Sequence, residues 1–460
     1  MLDEKFLSRM KAILGDGFDS FAKALGEERA VRGVRVNTLK ADAHGFLENQ
    51  PFNLTPLPYA KDGFIAEEGD GIGNTPEHHS GMIYVQDPGA MATLNALDIK
   101  PGWRVLDMCA APGGKSGQAA AKIGDGGFLL SNEFVPKRAK TVISNFERLG
   151  VKNAIVTSLD TSELPKLFSE YFDLVIADVP CSGEGMFRKS EEAITEWSEE
   201  NVAACAKRQR AIMKNAAPLV REGGYLLYST CTYSLEENEM LVDSFLKENE
   251  DFTLVEVKEE LKRATSDGIV FSGEADKSLI LTRRFYPHIS RGEGQFIALM
   301  RRIGGKKATQ TILYKDASQL PSKAEVCAID KFFKENLTKA PEGKVIKVGE
   351  NLVLSEHGVP IPPRSVFSAG VLIGRVEKGL LFPSHQFLSA YGKLFKRQEK
   401  LSRGMPDVAK YLSGEEILAK SFSDNGWCAI LYEGATLGGG KASLGKIKNH
   451  YPKGLRIKNN

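Results

Sequence analysis

The six cysteines of this 460-residue chain, at positions 109, 181, 205, 231, 327 and 428, include no Cys-x-x-Cys pair. Separations of tens of residues suit neither a zinc knuckle nor a disulfide framework, so free thiols in a reducing cytoplasm and no metal site are expected. No apolar run approaches the roughly 20 residues of a membrane span. The start, Met1-Leu2-Asp3-Glu4-Lys5, is charged and lacks the apolar core of a secretory leader. A membrane partner is therefore not expected. An excess of either charge is missing too: Lys+Arg 61 against Asp+Glu 59 leaves a formal net charge of +2. Bulk charge thus argues neither for nor against nucleic acid, and only its distribution can. No solenoid-spaced repeat and no long low-complexity tract occurs.

What is present first divides by pattern. The length predicts two to four domains. Residues 1–40 read as helical, with Phe6, Met10, Ile13 and Leu14 at helical spacing, followed by a basic strand Val34–Lys40. Residues 68–81 read as a loop. From 100 to 300 strand and helix alternate: apolar runs at Val105–Met108, Phe128–Leu130, Ala154–Val156, Leu174–Ala177 and Tyr225–Tyr228 are separated by helical stretches such as Pro136–Leu149 and Asn201–Val220. Such alternation predicts an α/β, doubly wound (Rossmann-like) sheet with helices on both faces. Phe285–His288 and Gly294–Ala298 read as its last hairpin. A basic linker, Arg301 to Lys307, leads to short strands, for example Lys344–Leu354 and Gly370–Val376.

The segment Val105-Leu106-Asp107-Met108-Cys109-Ala110-Ala111-Pro112-Gly113-Gly114-Lys115 is a buried strand, a small-residue turn and a helix start. Small residues let a ligand lie against the backbone, and a helix N-terminus offers free N–H groups. A phosphate-binding loop would need Gly where Cys109 stands, and a G-x-G-x-x-G dinucleotide fingerprint is absent. Glu133, at the end of the next strand, is placed to accept hydrogen bonds from a ribose diol. A ligand-free strand–turn–helix is the plainer alternative.

Two further strands end in cysteine, at Asp178-Val179-Pro180-Cys181 and at Ser229-Thr230-Cys231. Ligands collect at the carboxyl ends of strands near the switch point, so Asp107, Asp178, Cys181 and Cys231 are expected to share one crevice. Ser234 with Glu237 reads as a capping box starting the next helix. Cys205 lies on the apolar face of its helix and reads as core, as do Cys327 and Cys428 outside the catalytic region; Cys109 reads as a small structural residue in the turn. A lone strand-end cysteine is more often structural than catalytic, but two at one edge favour chemistry.

Asp178-Val179-Pro180-Cys181-Ser182-Gly183-Glu184-Gly185 with Ser229-Thr230-Cys231-Thr232 closely resembles the Nol/Nop/Sun family of RNA cytosine-5 methyltransferases. Ala110–Lys115 looks like its cofactor motif, Tyr84–Met91 like the motif before it, and Arg35-Val36-Asn37-Thr38 like its N-terminal one. The likeness covers about residues 30 to 300 and departs at no catalytic position. It implies S-adenosyl-L-methionine as methyl donor, contacted by Cys109, Ala110, Ala111, Pro112, Gly113, Gly114, Lys115, Glu133, Arg138, Asp160 and Asp178. It makes Cys231 the nucleophile and Cys181 the residue that helps release product; possession of both points to RNA rather than DNA. The chemistry needs such groups: a thiolate on carbon 6 activates carbon 5, Asp178 would hold or protonate N3, and Lys115 would favour the Cys231 thiolate.

From Gly434 on no acidic residue occurs, while Lys441, Lys446, Lys448, Lys453, Arg456 and Lys458 do. The plainer reading is a solvated face; the other is an RNA-binding surface. Leu444, Ile447, Tyr451 and Leu455 are candidate core residues there. This tail looks like the PUA-like end of bacterial ribosomal small-subunit methyltransferases of the F type, which implies ribosomal RNA, 16S in the small subunit, rather than transfer RNA. Should it carry no RNA, the region of Arg35 and Lys40 is the next candidate. The implied organisation is an RNA-binding α+β extension (1–75), a methyltransferase domain (76–303), a middle domain (304–385) and a PUA-like domain (386–460), in a monomer. A catalytically inactive ribosome-assembly factor and a nucleotide-dependent dehydrogenase stand as alternatives, the first opposed by the intact Cys231, Cys181 and Asp178, the second by the missing glycine fingerprint.

Overall fold

The computed structural model describes residues 2–27, 30–67, 71–304 and 311–457. Residues 68–70 of the expected loop, Lys306 and Lys307 of the expected linker, and Lys458 of the basic tail lie outside the described residues.

A ten-stranded sheet organises the chain. Its strands are β1 (Arg104–Asp107), β2 (Phe128–Asn132), β3 (Ala154–Thr157), β4 (Phe172–Asp178), β5 (Val220–Thr230), β6 (Phe252–Leu254), β7 (Ser266–Asp267), β8 (Arg283–Phe285), β9 (Gln295–Arg302) and β10 (Val366–Ala369). The order is β7-β8-β9-β5-β4-β1-β2-β3-β10, with β6 paired to β9. Strands β1 to β5 are mutually parallel. Alternate residues serve two cores: Leu106, Leu130, Ile155, Val175 and Leu226 face one side, and Val105, Leu129, Val156, Leu174 and Leu227 the other. Burial on both faces is why these strands read as unbroken apolar runs. After β3 the chain crosses to the far side of β1, so β1 and β4 flank the switch point, where neighbouring strand ends open a crevice.

Four helices place the site: α1 (Gly114–Ile123), α2 (Pro136–Leu149), α3 (Glu199–Ala216) and α4 (Glu239–Glu248). Helix α3 begins two residues before the expected Asn201 because the Ser198 hydroxyl caps it, accepting from Asn201 N at 3.0 Å. It ends at Ala216 rather than Val220, giving way to a 3-10 turn with Pro218 inside it. The expected last hairpin is the antiparallel pair β8–β9.

Arg32–Val36 lies in a four-stranded N-terminal sheet. It stops short of the expected Lys40 because the chain turns after Asn37, whose O accepts from Lys40 N and Ala41 N and whose side chain donates to Gly81 O and Leu149 O. Arg35 and Lys40, the next candidates for RNA contact, are both engaged within the protein. Arg35 is buried and donates to Gln86 Oε1 and Gly114 O, both at 3.1 Å. Lys40 donates to Ser389 Oγ at 2.7 Å and Thr436 O at 3.0 Å, tying the N-terminal region to the C-terminal one.

Beyond the linker the short strands form a four-stranded sheet (344–348, 351–355, 371–377, 380–383) and a five-stranded one (398–401, 417–418, 426–432, 435–443, 446–449). The segment 304–385 also lends β10 to the edge of the catalytic sheet, and Thr311–Ile312 pairs with Phe168–Ser169. In the tail, Ile447 and Tyr451 are core, Leu455 is half-buried, and Leu444, against expectation, is 91% exposed at a hairpin tip. Cys205 and Cys428 are buried, as expected; Cys327 is exposed, because it sits on the outer face of the helix Lys323–Asn336.

Under the catalytic edge Arg284 and Glu239 form a fully buried ion pair, Arg284 Nε donating to Glu239 Oε1 at 2.6 Å. The same guanidinium donates to Tyr233 O at 2.9 Å, two residues past Cys231. Breaking such a pair leaves an uncompensated buried charge. Arg284→Met is therefore expected to cost about 3 to 5 kcal/mol in urea denaturation, with much of it restored in the Arg284→Met/Glu239→Leu double variant. A loss under about 1 kcal/mol would show that the pair does not hold this edge.

Candidate functional site

The carboxyl ends of β1, β2, β4 and β5 open into a cavity of about 770 Å³. Cys109, Ala111, Glu133, Arg138, Asp160, Asp178, Cys181 and Cys231 all line it, so residues as far apart as 109 and 231 meet there. Ala110, Pro112, Gly113 and Gly114 do not line it. Gly113 has φ +108 and packs on Val142 of α2, and a Cβ on Gly114 would lie 2.9 Å from Tyr84. Lys115 does not line the cavity either, but its Nζ pairs at 2.9 Å with Oδ2 of Asp178, which does. Asp107, expected in the crevice, instead lies buried beneath it, with Oδ2 accepting from Ser116 Oγ at 2.6 Å.

The two thiols are in contact. Cys181 Sγ and Cys231 Sγ are 3.2 Å apart, and Cys231 N donates to Cys181 Sγ at 3.3 Å. The hydrogen bond to Cys231, then burial, raise the Cys181 thiol well above its ordinary value. Cys181 is thus held as a thiol in contact with the Cys231 sulfur. Burial works to lower the Lys115 pKa, but Asp178, and further off Cys231, more than offset it, so the ammonium is firmly charged. Asp178 Oδ1 accepts from Ser229 Oγ at 2.6 Å.

Two buried carboxyl groups hold the loops that carry these sulfurs. Glu184 Oε1 accepts from Trp197 Nε1 at 2.8 Å and Ser234 Oγ at 2.6 Å; its Oε2 accepts from Thr232 Oγ1 and Tyr233 N, both at 2.8 Å. With its hydroxyl proton committed to Glu184, Thr232 accepts from Ser182 Oγ at 2.8 Å. Glu237 Oε2 accepts from Ser182 N at 3.0 Å and from Gln209 Nε2 at 2.7 Å. The expected capping box is therefore not formed: Ser234 donates to Glu184 and Glu237 turns inward, because each finds a buried partner on the loop of Cys181. Gly185 N donates to Cys231 O, and a Cβ there would lie 2.9 Å from that oxygen and 2.5 Å from Gly294 O.

At the other end of the cavity Glu133 is buried, accepting from Ala111 N at 3.3 Å and Val135 N at 3.0 Å. Arg138 NH1 stands 3.6 Å from it. Asp160 caps the next turn, accepting from Ser162 N and Oγ, bonds that hold its carboxyl below the usual range. Three acids beside a small-residue turn make a set of acceptors suited to a nucleoside carrying a cationic group; the volume is in the range of small-molecule sites.

Several residues of the site escaped the sequence reading. Phe134, 63% exposed on the rim, follows Glu133 directly, and an aromatic residue after a strand-end acid was the available signal. Glu184 lay inside the quoted motif without a role. Arg208, Ala211, Lys214 and Asn215 of α3 line the cavity but read only as a helix with an apolar face.

Comparison with known proteins points one way. A family model described as 16S rRNA methyltransferase RsmB/F matches residues 94–301. Others described as the N-terminal domain of 16S rRNA methyltransferase RsmF and the methyltransferase RsmF PUA domain match residues 2–88 and 398–457. Ribosomal RNA small subunit methyltransferase F of Vibrio vulnificus is 31% identical over 477 residues, covering 99% of this chain and 97% of its own. That of Aeromonas salmonicida is 28% identical over 93% of this chain and 91% of its own. A methyltransferase homolog protein from Pyrococcus horikoshii, solved by crystallography, superposes on 65% of this chain and 95% of its own, with TM-score 0.57 and 29% identity.

Burial pushes the Glu237 carboxyl up to about 7, against the hydrogen bonds from Ser182 and Gln209 that lower it. A carboxyl whose pKa is higher folded than unfolded supports the fold fully below about 4.3 and loses that support as pH rises through its folded value. Relative to the parent, Glu237→Gln should therefore become progressively more stable between about pH 4 and pH 8, by up to about 3 kcal/mol. A stability difference that is flat across that range in thermal melts would place the proton elsewhere.

Proposed function

This chain belongs to the 16S rRNA methyltransferase RsmB/F family and carries the RsmF N-terminal and PUA domains, and on that premise we propose that it methylates carbon 5 of a cytosine in small-subunit ribosomal RNA through a covalent Cys231 adduct. The observation that carries the reading is the thiol pair, Cys181 and Cys231 at 3.2 Å, in one cavity with Asp178, the ion-pair partner of Lys115. An inactive assembly factor would have no use for that pair, and a nucleotide-dependent dehydrogenase would want the G-x-G-x-x-G fingerprint that the turn after β1 lacks.

S-adenosyl-L-methionine, when bound, supplies an electrophilic methyl group on a sulfonium. Glu133 would hold its ribose hydroxyls, Asp160 its adenine amino group, and Cys109 and Ala111 the backbone approach; Arg138, next to Glu133, is placed to steady that carboxylate. Cys231 adds to carbon 6 as a thiolate, favoured by the nearby Lys115 ammonium, and the carbon 5–carbon 6 double bond becomes nucleophilic at carbon 5. Asp178 and Lys115 together hold the N3 edge, where charge develops, so that a shared proton meets it there. Once carbon 5 carries the methyl group, loss of its proton to a base re-forms the carbon 5–carbon 6 double bond and breaks the bond from carbon 6 to sulfur. Cys181, kept as a thiol, would donate its S–H to the departing Cys231 thiolate.

Two measurements separate these roles. Cys231→Ala should abolish methyl transfer while leaving cofactor affinity within about twofold. Cys181→Ala should still attack but accumulate a covalent protein–RNA complex, seen as a retarded band on a denaturing gel and lost in the double variant with Cys231→Ala. A band that requires Cys181 instead reverses the assignment. Bisulfite mapping of ribosomal RNA from cells with and without the gene identifies the cytosine, and an unchanged map excludes the reading.

Part of the RNA affinity we place in the C-terminal sheet. Lys441, Lys446, Lys448 and Lys453 are exposed there, whereas Arg456 is engaged with Tyr451 O. If about three of the four meet phosphates, replacing all four by Gln should flatten the slope of log affinity against log salt by about 2 to 3, with cofactor affinity unchanged. An unchanged slope in the folded variant would make these lysines a solvated face.

A further inference from the structure

Helix α3 carries a second concentration of positive charge, and it sits on the cavity itself. Between Glu200 and Glu222 the chain has no acidic residue, yet Lys207, Arg208, Arg210 and Lys214 fall within it. All four are exposed, and among the described residues none has a hydrogen bond or ion pair with a carboxylate. The opposite face, with Val202, Cys205, Gln209, Ile212, Met213 and Ala216, is buried, so the cations cannot turn inward.

The helix is pinned to both ends of the cavity. Gln209 Nε2 donates to Pro180 O at 3.0 Å, beside Cys181, and Asn215 Nδ2 donates to Thr161 Oγ1 at 3.0 Å, beside Asp160. Arg208 and Lys214 both line the cavity, about 9 Å apart along the axis at the usual rise. Ala211 lies between them and leaves a gap on the rim. The acids Glu133, Asp160 and Asp178 belong to the strand-end wall, where Arg138 stands beside Glu133, whereas the helical wall carries the cations Arg208 and Lys214 and no acid. A polyanion entering beside the thiols meets that wall first.

We propose that the outward face of α3, from Lys207 to Lys214, holds the RNA phosphates on either side of the target nucleotide, with Arg208 at the thiol end and Lys214 at the cofactor end. This rests on the RNA methyltransferase reading and gives it a positioning surface separate from the C-terminal sheet. Phosphate contacts fix register without reading sequence, so these residues set how the base is presented rather than which base is chosen.

The test uses the full chain with a small-subunit ribosomal RNA fragment that contains the mapped cytosine. In the variant with Lys207, Arg208, Arg210 and Lys214 all replaced by Gln, two to four lost phosphate contacts should lower the salt slope by about 1.4 to 3.6. KM for RNA should rise about tenfold or more at physiological salt, while kcat at saturating RNA and S-adenosyl-L-methionine affinity stay within about twofold. Arg208→Lys should keep the slope. Gln at the exposed Lys331 and Lys334 of the helix Lys323–Asn336 gives the effect of charge alone. An unchanged slope and KM in the folded variant overturn the proposal, as does an equal loss from the Lys331/Lys334 control. Should the four-fold variant not fold, the single Arg208→Gln and Lys214→Gln variants must each lower the slope by about 0.7 to 0.9, or the proposal fails. Weakened cofactor binding with an unchanged salt slope would assign the cations to the cofactor and also overturn it. Failure of the parent protein to methylate the fragment or its assembled subunit is a separate result, and it removes the functional reading and this proposal together.

Discussion

Two sulfurs at 3.2 Å require that two loops from different strands be held in register, and buried carboxyl groups do the holding. Glu184, on the loop after Cys181, is fully occupied by donors that come from the loop after Cys231 and from Trp197. Glu237 reaches in the other direction, from beyond Cys231 to Ser182 N. Each loop thus supplies the acid that satisfies the other's N–H and hydroxyl groups. Hydrogen bonds to charged or partly charged acceptors in a dry site are the strong ones, and leaving one unmade there is expensive. Separation of the thiols would orphan several donors at once, so the pair is stiff without a covalent bond between its members.

The same crowding sets the electrostatics. Burial, with Asp178 nearby, lifts the Asp107 carboxyl to about 7 despite the Ser116 hydroxyl. Lys115 is the cation among these acids, and its pairing with Asp178 keeps a positive charge beside Cys231. Cys181, pushed up by its hydrogen bond and by burial, keeps its proton. Cys181 is thereby given the proton that its proposed role beside Cys231 requires. Environment rather than residue type assigns the roles.

How much of this was legible in the sequence follows from where each signal lives. The parallel strands were plain because burial on both faces writes them as apolar runs, and their carboxyl ends located Asp178, Cys181 and Cys231 without further help. Glu133 was legible for the same reason. Local signals failed where a distant partner outbid them: Ser234 and Glu237 have the spacing of a capping box but find better partners on the other cysteine's loop. Arg35 and Lys40 look like a basic surface and are instead the hydrogen-bond donors that join separate regions of the chain. Strand β10 was unreadable in principle, since nothing in Val366–Ala369 says that it pairs with β3 across two hundred residues of chain.

A net charge of +2 says nothing of a polyanionic partner because the sum conceals segregation. Many of the acids are spent internally, Glu184, Glu237, Glu239, Asp107 and Glu133 all being buried, and so contribute little field outside. The cations of α3 and of the C-terminal sheet, by contrast, are exposed in stretches with no acid between them. What an approaching RNA meets is set by those surfaces, not by the total. Fields from exposed charge decay within about 8 Å at physiological salt, so the cations on the cavity wall and those of the C-terminal sheet would act on different phosphates of the proposed RNA substrate. An enzyme that must hold one nucleotide over two thiols within a far larger RNA has use for both, one for capture and one for placement.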